Sequence, residues 1–238
     1  MHYYSRNFRR KARFSGMIGR LMQLLVPLAC TSCGREGSAL CRTCGETWRL
    51  RVQQCAGCGV ASWQGRTCER CCSRALSGVD QLAGVSVALH YDGPVKQAVL
   101  DLKFQALRWA APDLARFFEP LWEQERFDAV TSVPVSPGRY RERGYNQSEL
   151  LARAVARRSG IPYLPLLARQ SSDHQLGLGR AERLRRVGGV FYGLHGLSGE
   201  RVLVVDDVVT TGATLNECAR VLKTAGASTV WGLALARH

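Results

Sequence analysis

The segment RVLVVDDVVTTGATLNECARVLKTAG, residues 201–226, constrains the fold of this chain more than any other feature. Its continuous apolar run, residues 202–205, is typical of a parallel strand that is buried on both faces. Asp206 and Asp207 end this predicted strand, and Ala213–Thr224 is predicted to form a helix that stops before a glycine. A buried strand that leads into a helix is typical of an α/β domain. We therefore expect a mostly parallel sheet with flanking helices.

Between the predicted strand and helix lies a short loop of threonines around one glycine: Thr210, Thr211, Gly212, Ala213 and Thr214. Hydroxyl groups and open backbone amides at a helix N-terminus are suited to a phosphate dianion. Two adjacent carboxylates before such a loop need a partner, such as a ribose diol or a magnesium complex. An ordinary strand–turn–helix, in which one Asp or Thr caps the helix, accounts for one polar residue but not for the whole set.

The cysteines form the second strong pattern, since nine of the ten lie between positions 30 and 72. Eight of them form four CxxC pairs: Cys30/Cys33, Cys41/Cys44, Cys55/Cys58 and Cys68/Cys71. Two residues between thiolates let both sulfurs of a tight turn face one ion, which is typical of structural zinc sites. A glycine follows three of the pairs, at Gly34, Gly45 and Gly59, where we expect a positive φ.

The spacing leaves the pairing of these cysteines open. Sequential pairing predicts one zinc site from the first two pairs and a second site from the last two. A cross-braced arrangement of the first pair with the third and the second with the fourth has the same spacing, and Cys72 could replace Cys71 as a ligand. A disulfide framework is disfavoured, because we find no convincing signal peptide and a larger, cysteine-poor region follows. Bound metal would supply most of the folding free energy of residues 30–72.

The charge of the chain is unevenly distributed. The net charge is +14, and residues 1–80 carry 13 Lys/Arg against 4 Asp/Glu, whereas the other residues carry 20 against 15. This asymmetry favours a polyanionic partner, nucleic acid first, although a solvated basic tail gives the same pattern. Residues 17–26 are predicted to form a short amphipathic helix rather than a membrane span of roughly 20 residues, so we expect a cytoplasmic protein.

Other segments are placed around the predicted ligand site. Residues 79–92 are predicted as a first strand and residues 95–104 as a helix, in which Lys103 is interpreted as a surface lysine. Residues 127–135 are predicted as a second buried strand, followed by the arginine-rich stretch SPGRYRERGYNQS. Ligands of doubly wound sheets collect beyond the carboxyl ends of the strands. This stretch is therefore predicted to be a loop that faces the same crevice as the acid pair, with solvated arginines as the alternative.

The string VLVVDDVVTTGATL, residues 202–215, resembles the phosphoribosyl pyrophosphate signature of type I phosphoribosyltransferases. The resemblance extends to the ComF family, also called GntX-like, over almost the whole chain after the basic tail. It is carried by LLVPLACTSCG at 24–34, YDGPVKQAVLDLKF at 91–104, VTSVPVSPGRYRERGYNQSELLARAVA at 130–156, HQLGLGRAERLRRVGGVF at 174–191 and the signature itself. One departure is Arg186, where family members tend to carry Asn.

The resemblance implies a site for phosphoribosyl pyrophosphate and magnesium. By this resemblance Asp206 and Asp207 are the catalytic candidates and would hold the ribose 2′ and 3′ hydroxyls. Residues 210–214 would hold the 5′-phosphate, and Arg139 and Arg143 the pyrophosphate.

Three parts of the chain are expected. Residues 1–27 form a basic tail with a short helix, residues 28–75 a double zinc-ribbon module, and residues 78–238 a type I phosphoribosyltransferase-like domain with a five-stranded, mostly parallel sheet. Residues 169–189 resemble the hood that closes over the substrate in type I enzymes. The expected partners are phosphoribosyl pyrophosphate and, through the family's link to natural transformation, single-stranded DNA or the DNA-uptake machinery.

Two functions remain open at this point. One is a phosphoribosyltransferase-like activity with an unknown acceptor, in which the protein positions the substrate and stabilises charge. The other is non-catalytic, zinc-dependent binding of single-stranded DNA, with the phosphoribosyl pyrophosphate site as a sensor or a relic.

Overall fold

The computed structural model describes residues 29–50, 80–104, 108–122, 126–170 and 190–238, and the single residues 53, 55, 61, 62, 66 and 68. The strands within them are β1 Gly84–His90, β2 Ala129–Ser132, β3 Leu167–Arg169, β4 Phe191–Gly193, β5 Arg201–Val209 and β6 Thr229–Arg237. The helices are α1 Arg42–Thr47, α2 Gly93–Phe104, α3 Ala110–Leu114, α4 Glu119–Trp122, α5 Pro137–Arg143, α6 Gln147–Ser159 and α7 Ala213–Thr224. A 3-10 turn, Ala115–Phe118, joins α3 to α4.

The main sheet is parallel throughout. Its strands lie in the order β1, β6, β5, β2, and the short strands β3 and β4 form a separate antiparallel pair. The prediction of five strands in the main sheet is wrong for the described residues, which form four. Beside β2, Tyr163 makes only an isolated parallel bridge to Val130, so this edge is covered without a fifth strand.

Strand β5 lies inside the sheet and is buried on both faces, as its apolar run predicts. Leu203 and Val205 belong to one apolar layer, and Val202 and Val204 belong to the other. All four are at most 1% exposed. Because side chains alternate across a strand, an unbroken apolar run is what a strand between two layers requires.

Helices cover both faces of the sheet. One layer contains residues of α2, α3 and α6, including Val99, Leu114 and Leu151. The other contains residues of α7, including Leu215 and Leu222. The predicted bounds of the last helix, Ala213–Thr224, match α7.

The prediction that the acid pair ends its strand is wrong. Strand β5 continues to Val209, because Asp206, Val208 and Val209 still pair with β6. Both acids therefore lie within the sheet near its carboxyl edge, where neighbouring strands restrict their side chains.

The arginine-rich stretch after β2 is a helix and not the predicted loop. Ser136 caps α5 by accepting a hydrogen bond from the Arg139 N–H at 3.4 Å, and Pro137 occupies the first turn. The helix ends at Gly144, which has a φ of 76°. A serine N-cap, a proline at the start and a glycine at the end are sequence signals of a helix, and they identify α5 in retrospect.

The free edge of β1 is covered by the cysteine-containing segment. The His90 N–H donates to the Trp48 carbonyl at 2.8 Å, and the Leu50 N–H donates to the Ala88 carbonyl at 2.9 Å. The Gln53 side chain adds two bonds of 2.9 Å to the backbone N–H and carbonyl of Val87. This pairing satisfies backbone groups that an open sheet edge would leave exposed.

The predicted helix over residues 17–26 and the predicted hood residues 171–189 lie outside the described residues. Within the described residues, no helix has the length and apolar character needed to cross a bilayer.

Candidate functional site

Four thiols form a cluster near the β1 edge of the sheet. The Sγ atoms of Cys30, Cys33, Cys41 and Cys44 all lie within 4.8 Å of one another. The first two CxxC pairs therefore form one cluster, as the sequential pairing predicts. Four thiols so arranged are a donor set that fits a tetrahedral metal ion.

Local backbone geometry holds this cluster. The Cys41 N–H donates to the Cys30 sulfur at 3.3 Å, and the Cys44 N–H donates to the Cys41 sulfur at 3.5 Å. Gly34 has the predicted positive φ, 71°. The same expectation for Gly45 is wrong: it lies inside α1, and a Cβ there would collide with the Phe117 ring. Position 45 therefore requires a glycine because the cysteine segment packs closely against the Phe117 ring.

The thiols perturb one another's ionisation. Burial raises the pKa of Cys30, but N–H donors from Cys41, Cys33 and Ser32 outweigh it and lower the pKa to about 6. The Ser32 hydroxyl lowers the pKa of Cys44, whereas Cys41, burial and the other thiols raise it to about 11. Four thiols at this distance cannot all be thiolates without a cation, so the cluster is electrostatically suited to a divalent metal.

The second predicted metal site lies partly outside the described residues. Cys55 is buried, and its sulfur accepts a hydrogen bond from the Cys68 N–H at 3.5 Å. Cys58, Cys71 and Cys72 lie outside the described residues, so the second site remains a prediction.

The acid pair lies at the carboxyl edge of β5, between α2 and α6. Asp206 Oδ1 accepts hydrogen bonds from the Ser148 hydroxyl and from the Asp207 N–H, both at 2.9 Å. Asp207 is 4% exposed. Its Oδ1 accepts a hydrogen bond from the Val208 N–H at 2.8 Å, and the Lys103 ammonium lies 3.0 Å from its Oδ2. The two carboxylates thus have different side-chain partners, one from α6 and one from α2.

The environment of Asp206 raises the pKa of its carboxyl group. Burial and the charge of Asp207 raise its pKa to about 7, although the Ser148 hydroxyl, the Asp207 N–H and Lys103 act in the opposite direction. A carboxyl group with a pKa close to neutral pH, held beside a buried ion pair, is typical of a ligand-binding or catalytic site.

The interpretation of Lys103 as a surface lysine is wrong. Its side chain is 20% exposed and forms the ion pair with Asp207. The helical spacing contains the missed signal, because Val95, Val99 and Lys103 follow one another at intervals of four residues. Lys103 thus continues the buried stripe of α2 at the end where that stripe reaches the acid pair.

Arg143 contacts two residues that neighbour, in the chain, the partners of the acids. Its guanidinium stacks over the Phe104 ring at 4.7 Å, and its Nη1 donates to Gln147 Oε1 at 3.2 Å. Phe104 and Gln147 adjoin Lys103 and Ser148 in the chain, the two residues that contact the acids. The Arg143 Nε is buried with no hydrogen-bond partner among the described residues, which leaves a donor for an anion. Arg139, the other predicted pyrophosphate ligand, is exposed on α5.

The predicted phosphate loop follows β5 directly and begins α7. Gly212 has a φ of 80°, a left-handed conformation that turns the chain into the helix. Thr211 Oγ1 accepts from the Ala213 N–H at 3.4 Å. The side chains of Thr210, Thr211 and Thr214 are exposed. The loop therefore presents hydroxyls and helix N-terminal amides at the same edge of the sheet as the acids.

Comparison with known proteins gives consistent matches. The family described as "Phosphoribosyl transferase domain" matches residues 146–237. The chain is 30% identical to competence protein ComFC of Streptococcus pneumoniae over 85% of this chain and 89% of that protein. It is 31% identical to DNA utilization protein YhgH of Salmonella typhimurium over 86% and 91% of the two chains.

Solved structures are also similar. Glutamine phosphoribosylpyrophosphate amidotransferase from B. subtilis matches 53% of this chain with 24% identity and a TM-score of 0.41, and the match spans only 26% of that longer chain. Adenine phosphoribosyltransferase from Thermoanaerobacter pseudethanolicus matches 60% of this chain and 86% of its own, with 16% identity and a TM-score of 0.38. The predicted fold class, a parallel-sheet phosphoribosyltransferase domain with flanking helices, is confirmed.

Proposed function

The chain belongs to the ComF family of proteins with a phosphoribosyltransferase domain, and from this premise we propose that it binds phosphoribosyl pyrophosphate with magnesium at the acid pair of β5. Asp206 and Asp207 would hold the ribose 2′ and 3′ hydroxyls. The loop 210–214 would hold the 5′-phosphate, and Arg143, with Arg139 from the same helix, the pyrophosphate.

One observation carries this proposal: the acid pair is held in place before any ligand is bound. Asp207 is fixed by Lys103 at 3.0 Å and Asp206 by Ser148 at 2.9 Å. Two adjacent acids, one of them buried, are costly unless a ligand uses them, and hydroxyl groups of a ribose can donate to both carboxylates. The phosphate loop starts three residues after Asp207 in the chain, at the same edge of the sheet.

Any transfer reaction at this site would depend on positioning and electrostatics. Magnesium held with the pyrophosphate would supply positive charge next to that group. Asp206 and Asp207 would orient the ribose and stabilise the positive charge that develops on it, while Arg143 would stabilise the departing anion. Among the described residues we assign no general base. The proposal therefore covers binding first and turnover second, with the acceptor left to be identified.

The thiol cluster supports a structural zinc ion in the N-terminal part of the chain. Cys30, Cys33, Cys41 and Cys44 would be its ligands, in the tetrahedral arrangement that four thiolates give zinc. We propose a second structural zinc ion for Cys55, Cys58, Cys68 and Cys71. In neither site would the metal take part in chemistry.

The names of the relatives support a role in DNA uptake or utilisation. We place this chain in the cytoplasm in that role. Direct binding of single-stranded DNA is the second candidate function. One observation favours it: α5 presents an exposed aromatic side chain, Tyr140, between exposed Arg139 and Arg141. Alternating rings and cations are suited to stacked bases and their phosphates.

Calorimetric titration of the metal-loaded protein with phosphoribosyl pyrophosphate and magnesium tests the first function. We expect saturable binding by the wild type and at least a hundredfold loss in the double variant Asp206→Ala/Asp207→Ala. Asp101→Ala is a matched control, because this carboxylate lies on α2 and bonds only Gln97 in the described structure. No binding by folded, metal-loaded wild-type protein contradicts the proposal.

Salt dependence separates the two functions. Affinity for single-stranded DNA that falls steeply with salt, and that decreases in Arg139→Ala/Arg141→Ala but not in the aspartate variant, indicates a DNA-binding protein that does not use the acid site. DNA affinity that is unaffected by the arginine substitutions contradicts the DNA-binding role of α5.

A further inference from the structure

Three cationic side chains gather around the last turn of α2, beside the acid pair. Lys103 belongs to that turn, and Arg108 and Arg143 are held next to it by aromatic contacts. We propose that Lys103 and Arg108 decide which ligand the acid pair accepts. Together with Arg143 they bind a diphosphate carried by the ribose, and so discriminate against a ribose that carries none. The identity of the ribose ligand rests on the proposed function, whereas binding of a diphosphate does not.

Aromatic side chains hold the two arginines at the end of α2. The Arg143 guanidinium lies over the Phe104 ring at 4.7 Å, and the Arg108 guanidinium lies over the Tyr145 ring at 4.8 Å. Tyr145 is buried, and its hydroxyl donates to the Leu102 carbonyl at 2.5 Å, which fixes its ring against α2. A guanidinium held over a ring still has N–H donors for the oxygens of a phosphate group.

The charges of these side chains are not balanced by the carboxylates that the structure describes. Lys103 pairs with Asp207 at 3.0 Å, but neither arginine forms an ion pair with a described carboxylate. Arg143 donates to the neutral amide of Gln147 at 3.2 Å, and its buried Nε has no hydrogen-bond partner in the described part of the chain. A buried donor without an acceptor is costly, and an oxygen of a diphosphate supplies that acceptor.

The Lys103 ammonium can bind an anion without leaving Asp207. An ammonium has three N–H donors, and Asp207 is its only acceptor among the described residues. The Lys103 side chain is 20% exposed, so its head remains within reach of a ligand. Asp207 can then accept a ribose hydroxyl while Lys103 donates to the diphosphate. One cation that contacts both groups fixes the position of the diphosphate relative to the ribose.

The three cations and the phosphate loop lie on different sides of β5. Helix α2 packs in the layer that contains Leu203 and Val205, whereas α7, which the phosphate loop begins, packs in the layer that contains Val202 and Val204. The acid pair lies between the two layers at the carboxyl edge. A ribose whose 5′-phosphate binds the loop therefore turns its opposite end, C1, toward α2. This placement favours a diphosphate on C1, rather than the 5′-phosphate, as the ligand of the cations.

Calorimetric titrations of the metal-loaded protein with phosphoribosyl pyrophosphate, ribose 5-phosphate and inorganic pyrophosphate, each with magnesium, test the inference. We expect Lys103→Met to weaken binding of the first ligand about tenfold more than that of ribose 5-phosphate, since a hydrogen bond to a charged group is worth about that factor. Arg108→Gln should weaken both diphosphate ligands at least threefold and ribose 5-phosphate less than twofold. Lys96→Met, an exposed lysine on the same helix, is the matched control and should stay within twofold for each probe.

The outcomes distinguish this inference from the proposed function. Equal weakening of phosphoribosyl pyrophosphate and ribose 5-phosphate in Lys103→Met shows that Lys103 acts only through Asp207, and overturns the inference while the proposed function stands. Arg108→Gln protein that binds both diphosphate ligands as the wild type does also overturns it. Binding of inorganic pyrophosphate that both substitutions weaken, in a protein that ignores phosphoribosyl pyrophosphate, supports the inference and removes the proposed function. If Lys103→Met does not fold, the Arg108→Gln titrations decide.

Discussion

The thiol cluster and the acid pair are both groups of like charges, and they are stabilised in opposite ways. The four sulfurs of the cluster lie within 4.8 Å of one another, so they can all be thiolates only with a cation from outside the chain. The acid pair has its cation within the chain, because Lys103 lies 3.0 Å from Asp207. A segment with little apolar core depends on a metal, whereas a strand between two apolar layers can supply an ion pair from a neighbouring helix.

Helix α2 connects the two regions. Near its first residue, the Pro94 carbonyl accepts a hydrogen bond from the Thr31 hydroxyl at 2.9 Å, and Thr31 directly follows Cys30. At its last turn, Lys103 reaches Asp207. The twelve residues of α2 span about 18 Å, so one helix contacts both regions, one near each of its ends.

The largest expected effect comes from removing the metal. Chelation, or Cys41→Ser, should lower the free energy of unfolding by about 5 kcal/mol or more, since structural zinc contributes about 10–16 kcal/mol in zinc-finger peptides. Thermal melts with and without chelator, with elemental analysis of the purified protein, measure this. Cys218→Ala is the control: this thiol is buried on α7 away from the cluster, and its variant should respond to chelator as the wild type does. If the metal-free protein has an unchanged melting temperature, the thiol cluster does not depend on a metal for its stability.

Lys103→Met should have the next largest effect, because it leaves a buried carboxylate without its cation. We expect a loss of about 2–4 kcal/mol in urea denaturation at pH 7.5. The double variant Lys103→Met/Asp207→Asn should recover most of that loss, and Lys223→Met, in the last turn of α7, should stay within about 0.5 kcal/mol of wild type. Equal losses in the single and double variants would show that the ion pair is not what stabilises the acids.

Asp206→Asn should stabilise the protein at alkaline pH. The pKa of Asp206 in the folded state, about 7, lies above its unfolded value of 3.8. Between these values the folded state holds a proton that the unfolded state has lost, so stability falls as pH rises through this window. The variant lacks this penalty and should be about 1–3 kcal/mol more stable than wild type at pH 8 and equal to it near pH 4.

Urea denaturation across a range of pH measures the stability of Asp206→Asn. The matched control is Asp207→Asn. Asp207 loses an ion pair when it is neutralised and should be destabilised at pH 8. A variant Asp206→Asn that is less stable than wild type at pH 8 contradicts the raised pKa of this carboxyl group.

Ser148→Ala should have the smallest effect. It removes the 2.9 Å hydrogen bond that stabilises ionised Asp206, so the pKa of Asp206 should rise further and stability at pH 8 should fall by about 1 kcal/mol. At pH 5 the carboxyl is neutral and the loss should be smaller. Ser159→Ala, whose hydroxyl bonds only backbone at the end of α6, should show no such dependence on pH. Identical pH profiles for the two serine variants would remove Ser148 from the site.

Local sequence patterns predicted much of the fold. They also predicted the four clustered thiols and the acid pair, but not the side chains that contact the acids. The bounds of α7 follow from an apolar spacing and a glycine stop, and the first zinc candidate follows from two CxxC pairs. Helix α5 has local signals, but arginines around two glycines are equally typical of a loop, so the composition of this stretch predicts the wrong element. Gly45 was misjudged because the reason for its glycine, the Phe117 ring, is distant in sequence.

The sequence by itself determined which residues are candidates for the sites: the thiols, the two acids and the threonine loop. Each is a contiguous motif whose local geometry restricts its partners. Only the tertiary structure decided that Lys103 and Ser148 hold the acids, and that Arg108 and Arg143 lie at the end of α2. These pairs are joined by strand pairing and burial of apolar faces. Those forces act between distant segments, so the spacing on α2 can indicate that Lys103 lies on a buried stripe but not which carboxylate it meets.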